Sequence, residues 1–258
     1  LEGEEGDANN SYAGADKADL LLPLPQRRLI REVAAVGTPI VLVNATGSAM
    51  ALGEEAELCN AVLQVWYPGQ MGGLAAAEVL FDKINPSGKL PVTFYRTTEE
   101  LPPFTEYAMQ GRTYRFMQNE PLYPFGYGLS YTRFAYTGLT AVPAPDGSCT
   151  VRATVTNVGT RKGSDVAQVY LRLIGAAGRV PRCSLAAFRR VTLEPGQSTE
   201  LHFTLPKTAF AEYDTQGREV YTAAEAEISL GGGQPDARTA ALTGMVVPTT
   251  TVKWGGWQ

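Results

Sequence analysis

Apolar positions change their spacing about midway along the chain. In the first hundred residues they recur at helical and strand spacing by turns. Leu29, Ile30, Val33 and Val36 are helically spaced in PQRRLIREVAAV (25–36), and Gly37 with Pro39 stops the pattern. IVLV (40–43) is a short, wholly apolar β-branched run, which predicts a strand covered on both faces, as in a parallel sheet. A weaker helix is expected over 53–60, a second strand over 61–67 (AVLQVWY) and a third helix over 74–83 (LAAAEVLFDK), with a Gly-rich turn at 68–73 before it. Strand and helix in alternation predict an α/β fold with a mainly parallel, doubly wound sheet. Residues 1–24, acidic and polar with Gly3, Gly6 and Gly14, read as a loop.

Residues 101–131 are rich in Pro, Gly and Tyr and lack a helical period, so they read as an ordered linker. From about 132 onward short alternating runs follow: CTVRATVTN, SDVAQVYLRL, LAAFRRVTL, STELHFTL and AEAEISL. The turn signals NVGTRKG, EPGQ, DTQG and GGGQ separate them. Strands at this spacing predict a small all-β sandwich over 132–235. A polar, small-residue tail (236–258) carries two tryptophans, whose burial calls for another surface.

Composition narrows the chemistry. In 258 residues, 44% are hydrophobic and 19% charged, ordinary values for a packed globular chain. No run approaches the ~20 apolar residues of a spanning helix, so no membrane partner is expected. A net charge of −4 without a basic stripe argues against nucleic acid. His202, the single histidine, lies in an alternating strand run and reads as a surface or strand residue rather than a triad member, and one histidine excludes a two-histidine zinc site. Cys59, Cys149 and Cys183 have no metal or disulfide spacing. They fit a cytoplasmic protein slightly better than a periplasmic or secreted one. Chemistry is left to carboxylates, or to groups outside this chain. The opening LEGEEGDANN has no initiator Met and no export signal pattern. A fragment, a processed product or one piece of a nicked enzyme is therefore expected.

Four carboxylates, Glu2, Glu4, Glu5 and Asp7, crowd among glycines at the start. Read from composition, that is a solvated acidic loop. It also suits a reaching acid/base: mutual repulsion raises at least one pKa, and glycines allow close approach.

Four segments resemble glycoside hydrolase family 3, in the family's order. They are LEGEEGD…ADKADLLLP, VLVNATGSAMAL, VWYPGQMGGLAAAEVLFDKINPSGKLPVTF and GRTYRF…PLYPFGYGLSYTRFAY. VTNVG, GSDVAQVYL and AFRRVTLEPGQS resemble its C-terminal fibronectin type III-like domain. The resemblance implies the later portion of an α/β sandwich domain (1–100), a linker (101–131), an immunoglobulin/fibronectin III-like sandwich and a tail. It implies a (β/α)8 barrel with the nucleophilic aspartate in a preceding portion or companion chain. The activity implied is a retaining, exo-acting β-glycosidase, a β-xylosidase or β-glucosidase, acting on β-linked oligosaccharides without metal or organic cofactor.

Retaining chemistry needs two carboxyls about 5–5.5 Å apart, one of them protonated near neutral pH. The family's acid/base lies in a Gly-Glu segment before an Asp-Arg pair and a Leu-Pro. Gly3–Glu4 and Leu22–Pro23 match, whereas Asp16–Lys17 replaces the planar arginine fork by a point charge. Glu4 is thus the expected acid/base, with Glu2 and Glu5 as alternatives. Arg112 and Tyr114 in GRTYRF are candidate sugar contacts, with structural docking the stronger reading. WYPGQMGG reads as helix–sheet packing, with no duty for Met71. PLYPFGYGLSYT reads as an interface plug, and NPSGKLP as a turn with Lys89 facing solvent. The rival reading of the whole chain is a non-catalytic carbohydrate-binding or assembly module.

Overall fold

The computed structural model describes residues 19–103 and 105–253. They form two compact units. The first holds 19–84, 93–108 (except 104) and 119–123; the second holds 85–92, 109–118 and 124–253.

In the first unit, α1 (Leu24–Ala35) starts with Pro25 in its opening turn, where a missing N–H costs little, and ends before Gly37 at φ +79°. β1 (Val41–Asn44) and β2 (Ala61–Gln64) pair in parallel, Val41 opposite Ala61 and Asn44 opposite Gln64. Between them lies α2 (Gly53–Glu57). After them comes α3 (Gly72–Leu80), which stops before Asp82 at φ +61°. The second strand is shorter than expected because Trp66 adopts φ +56° and breaks the extended backbone. Gly72 is required where it stands: a Cβ there would meet the Pro68 ring at 2.3 Å. Ile30, Met50, Leu52 and Phe94 are buried. The double coverage expected for residues 40–43 is not found. Val41 and Val43 are 48% and 41% exposed, because the described residues place no layer over that side.

The second unit is a sandwich of two antiparallel sheets. One has the order β3 (Phe134–Pro143), β4 (Cys149–Asn157), β7 (Ser198–Leu205). The other runs β11 (Thr249–Lys253), β10 (Glu225–Gly231), β5 (Gly163–Ile174), β6 (Ser184–Leu193). A short hairpin pairs β8 (Glu212–Tyr213) with β9 (Glu219–Val220). Alternation along β4 and β7 turns Val151, Val155, Leu201 and Leu205 inward, where they join Val169, Ile228 and Leu230 of the facing sheet in one core. Each such side chain contributes roughly 1.5–3 kcal/mol on burial. The polar tail contributes a helix and a strand. Asp236 caps α5 (Ala237–Thr243) by accepting the Thr239 N–H at 2.6 Å, Gly244 ends it at φ +69°, and β11 then pairs with β10.

Residues 85–92 belong to this sandwich unit. Lys89, expected to face solvent, is instead half-buried in an ion pair with the buried Asp165 at 2.9 Å. The Asp165 carboxylate also accepts the Tyr136 hydroxyl at 2.7 Å. Burial and that carboxylate together hold the Tyr136 pKa well above its usual value. The physical reason for the difference is the company of the turn. Asn85 donates to the Lys162 carbonyl, Arg190 donates to Ser87, and Leu90 trades backbone bonds with Gly126 and Tyr127 of the PLYPFGYG run. The carbonyls of Phe125 and Gly126 accept the side-chain amides of Gln234 and Gln168. A Cβ on Gly126 would lie 2.2 Å from Gln168 Oε1, so only glycine fits beneath that amide.

Candidate functional site at the strand ends of the first unit

Parallel open sheets bind ligands beyond the carboxyl ends of their strands. Here those ends are held by a neutral polar network. Asn44 and Gln64 are register partners, and Asn44 Nδ2 donates to Gln64 Oε1 at 2.6 Å. Gln64 Nε2 donates to Thr46 Oγ1 at 3.2 Å, and the Thr46 hydroxyl donates to the Ser48 carbonyl at 2.9 Å. The loops after β1 and β2 also touch through Gly47 and Tyr67: a Cβ at Gly47 would fall 2.6 Å from Tyr67 Cε2. Trp66 turns inward and meets Phe94 edge-to-face at 6.0 Å, and Phe94 meets Tyr123 the same way. A left-handed tryptophan costs of order 1–3 kcal/mol and persists only where its surroundings fix it. Behind the loops, buried Glu55 pairs with Arg27 Nε at 2.9 Å, an interaction that raises the arginine's pKa. The sequence signal for this network is a polar residue closing each of two apolar runs, VLVN and AVLQ.

Glu4, Glu2 and Glu5 lie outside the described residues. Arg112 and Tyr114 are in the second unit, at and within α4 (Thr113–Phe116). The Tyr114 ring stacks on Phe125 at 4.3 Å and stands edge-on to Tyr170, and its hydroxyl accepts the Leu185 N–H at 3.1 Å. Arg112 is half-buried. Its backbone N–H donates to the Met109 carbonyl, and its own carbonyl accepts the Phe116 N–H.

A general acid needs a carboxyl whose pKa is raised. Among the described residues the carboxyls with a displaced pKa, Glu99, Asp146, Glu212, Asp214 and Glu227, are all displaced downward. Hydrogen bonds cause this in each case, at Glu212 outweighing the opposite push of burial. Burial raises the Cys149 and Cys183 thiols to about 11, which leaves them poor nucleophiles. His202 lies on β7 beside Glu200 at 3.0 Å. Among the described residues no three His, Cys, Asp or Glu side chains gather to hold a metal, and no helix is long and apolar enough to cross a membrane.

Comparison with known proteins converges on one family. The glycosyl hydrolase family 3 C-terminal domain matches residues 2–131, and a fibronectin type III-like domain matches 165–234. A xylan 1,4-beta-xylosidase of Xylanibacter ruminicola is 39% identical over 94% of this chain and 28% of its own length. A periplasmic beta-glucosidase of Salmonella typhimurium is 36% identical over 80% of this chain and 29% of its own. Among solved structures, a β-glucosidase from Erythrobacter marinus superposes with a TM-score of 0.79 at 34% identity, covering 98% of this chain and 33% of that one. The chain thus spans about a third or less of the relatives it matches. It belongs to glycosyl hydrolase family 3, as that family's C-terminal α/β domain portion joined to a fibronectin type III-like domain.

Proposed function

We propose that this chain is the C-terminal part of a retaining, exo-acting β-glycosidase that removes terminal β-linked xylose or glucose from plant-derived oligosaccharides. In this reading Glu4 protonates the leaving oxygen and then deprotonates water, with Glu2 and Glu5 as alternatives in the same loop. The nucleophilic carboxylate comes from a (β/α)8 barrel, in a preceding portion of a longer protein or in a companion chain. Arg112 is a secondary contact; Tyr114 has its hydroxyl engaged by Leu185. The observation that carries the reading is the family match, which takes in the acidic loop from residue 2 onward.

The test uses the full-length polypeptide. Glu4→Gln removes the proton donor and the later base while leaving the nucleophile. On alkyl glycosides kcat falls by roughly 10²–10⁴-fold. Aryl glycosides with acidic phenols still form the covalent intermediate, and added azide restores their turnover as a β-glycosyl azide. Activity within a few-fold of wild type on alkyl glycosides overturns the assignment, and azide rescue at Glu2→Gln or Glu5→Gln moves it along the loop. The rival reading, a carbohydrate-binding or assembly module, requires that no glycoside turnover depend on this loop.

A further inference from the structure

The sandwich unit contains a cavity of about 520 Å³ where the start of β3, the end of β10 and the 244–248 loop after α5 meet. That volume is in the range of small-molecule sites. The walls are largely apolar, with Phe134 and Tyr136 of β3 among them and Met245 and Val247 from the loop. The Tyr136 hydroxyl is already engaged, donating to Asp165 at 2.7 Å, which leaves its ring for the cavity. Gly231, Gly232 and Gly233 add a wall without side chains. That wall is preformed: a Cβ at Gly231 would fall 2.9 Å from Val247, and one at Gly232 would fall 2.7 Å from Asp165 Oδ2.

Two polar groups of the lining have nothing to bind. Thr239, in α5, is 3% exposed. Its N–H donates to Asp236 and its carbonyl accepts the Thr243 hydroxyl at 2.7 Å, but its own hydroxyl has no hydrogen-bond partner. A buried hydroxyl left unpaired costs stability, and an apolar group of the same shape would avoid that cost. Arg133 is exposed, and among the described residues its guanidinium has neither an ion pair nor a hydrogen bond. It is the single charged residue of the lining, since Asp165 beside Gly232 is answered by Lys89 at 2.9 Å.

We propose that this cavity is a binding site for a small aromatic carboxylate. Arg133 holds the carboxylate, the ligand's ring lies against Phe134 and Tyr136, and the Thr239 hydroxyl is a second polar contact. A guanidinium pairs a carboxylate through two parallel hydrogen bonds. One cation balances one negative charge, whereas a doubly charged phosphate would leave a charge unanswered in an apolar site. The proposal stands apart from the glycosidase reading, since no step of the hydrolysis passes through these residues.

The experiment titrates the full-length polypeptide calorimetrically with hydrocinnamate as the probe, hydrocinnamyl alcohol as its uncharged counterpart and acetate as the bare carboxylate. Hydrocinnamate should bind at least about tenfold tighter than either control, the scale of a charge-assisted hydrogen bond. Arg133→Met should weaken hydrocinnamate by about 10–100-fold and leave the alcohol unchanged. Arg133→Lys keeps the charge without the fork and should fall between. Thr239→Val should weaken hydrocinnamate by about 3–10-fold, and in the absence of ligand it should raise the unfolding midpoint. That second readout separates loss of an unpaired hydroxyl from loss of the fold. Equal affinity for acid and alcohol, indifference to Arg133→Met, or no binding to the folded wild type overturns the site. A lower midpoint for unliganded Thr239→Val also overturns it, because the hydroxyl would then be serving the fold. Binding of a peptide with a free carboxyl end, where hydrocinnamate fails, overturns it in favour of a protein partner.

Discussion

The two units treat their apolar residues in opposite ways. In the sandwich, alternating strands from two sheets close over one core, and Val151, Val155, Val169, Leu205, Ile228 and Leu230 are fully buried. In the α/β unit, α1 buries only Ile30, while Leu29, Val33 and Val36 of the same stretch are 63%, 41% and 75% exposed. Val41 and Val43 of its sheet are exposed as well. The sandwich buries the inward half of its strand pattern, although Phe188 on β6 is 68% exposed. The α/β unit carries the helical and strand patterns of a buried element without, among the described residues, the surface that would bury them. A helical apolar stripe therefore reports what an element is made to pack against, not whether the partner belongs to the same stretch of chain.

Each unit also keeps a buried ion pair, and these offer the largest test of the contrast. Lys89→Met would strand the Asp165 carboxylate, 7% exposed, beside the Tyr136 hydroxyl that donates to it. Breaking a buried pair from one side costs about 3–5 kcal/mol. Urea unfolding of the chain should register that loss, and Asp165→Asn on top of Lys89→Met should recover part of it by removing the stranded charge. Arg27→Met in the α/β unit should cost less, because Arg31 stands 3.8 Å from the same Glu55 carboxylate and can take over. Equal costs at the two sites would mean that the sandwich's pair is no more isolated than the other.

The second test compares core with stripe. Ile228→Ala should cost about 2–5 kcal/mol, whereas Val33→Ala on the exposed side of α1 should stay within about 0.5 kcal/mol. A large cost at Val33 in the isolated chain would show that α1 is covered after all.

What could be read beforehand follows the same division. β4 and β7 are legible to the residue, since CTVRATVTN and STELHFTL alternate without interruption. β3 was not singled out: Gly138 at φ +65° and a register shift between Thr137 and Thr140 break its alternation. α5 and β11 hide in a stretch of small polar residues, because β11 is an edge strand with few buried positions. Lys89 misled for a different reason. NPSGKLP has turn chemistry, and turns are usually solvated; the partner that buries it, Asp165, lies on a distant strand with no local mark. The acid/base assignment depended on a resemblance throughout, since a cluster of glutamates among glycines has no period to read.

The smallest effect concerns acid. Glu212 is 3% exposed, and its two oxygens collect the N–H groups of Thr222 and Ala223 at 2.9 Å each, the Thr222 hydroxyl, and the Gly178 N–H at 3.3 Å. Burial pushes its pKa up, but these hydrogen bonds prevail and the net shift is downward. A carboxyl whose folded pKa lies below its unfolded value, about 4.3, adds stability that is fully present above that value. The contribution is lost as the pH falls through the folded pKa. Glu212→Gln should therefore destabilise the sandwich by about 1–2 kcal/mol at pH 7, the scale of a charge-assisted hydrogen bond. An amide presents one acceptor and one donor to a ring of donors. As the pH drops below about 5, the gap between variant and wild type should narrow, because the wild type is then losing the same charge. Glu99 in the α/β unit is also shifted downward, by its own backbone N–H and then by the Thr97 hydroxyl, but it is exposed to water. Glu99→Gln should leave the unfolding midpoint unchanged from pH 3 to 7. A gap at Glu212 that stayed constant over that range would make its role one of shape, with the charge irrelevant.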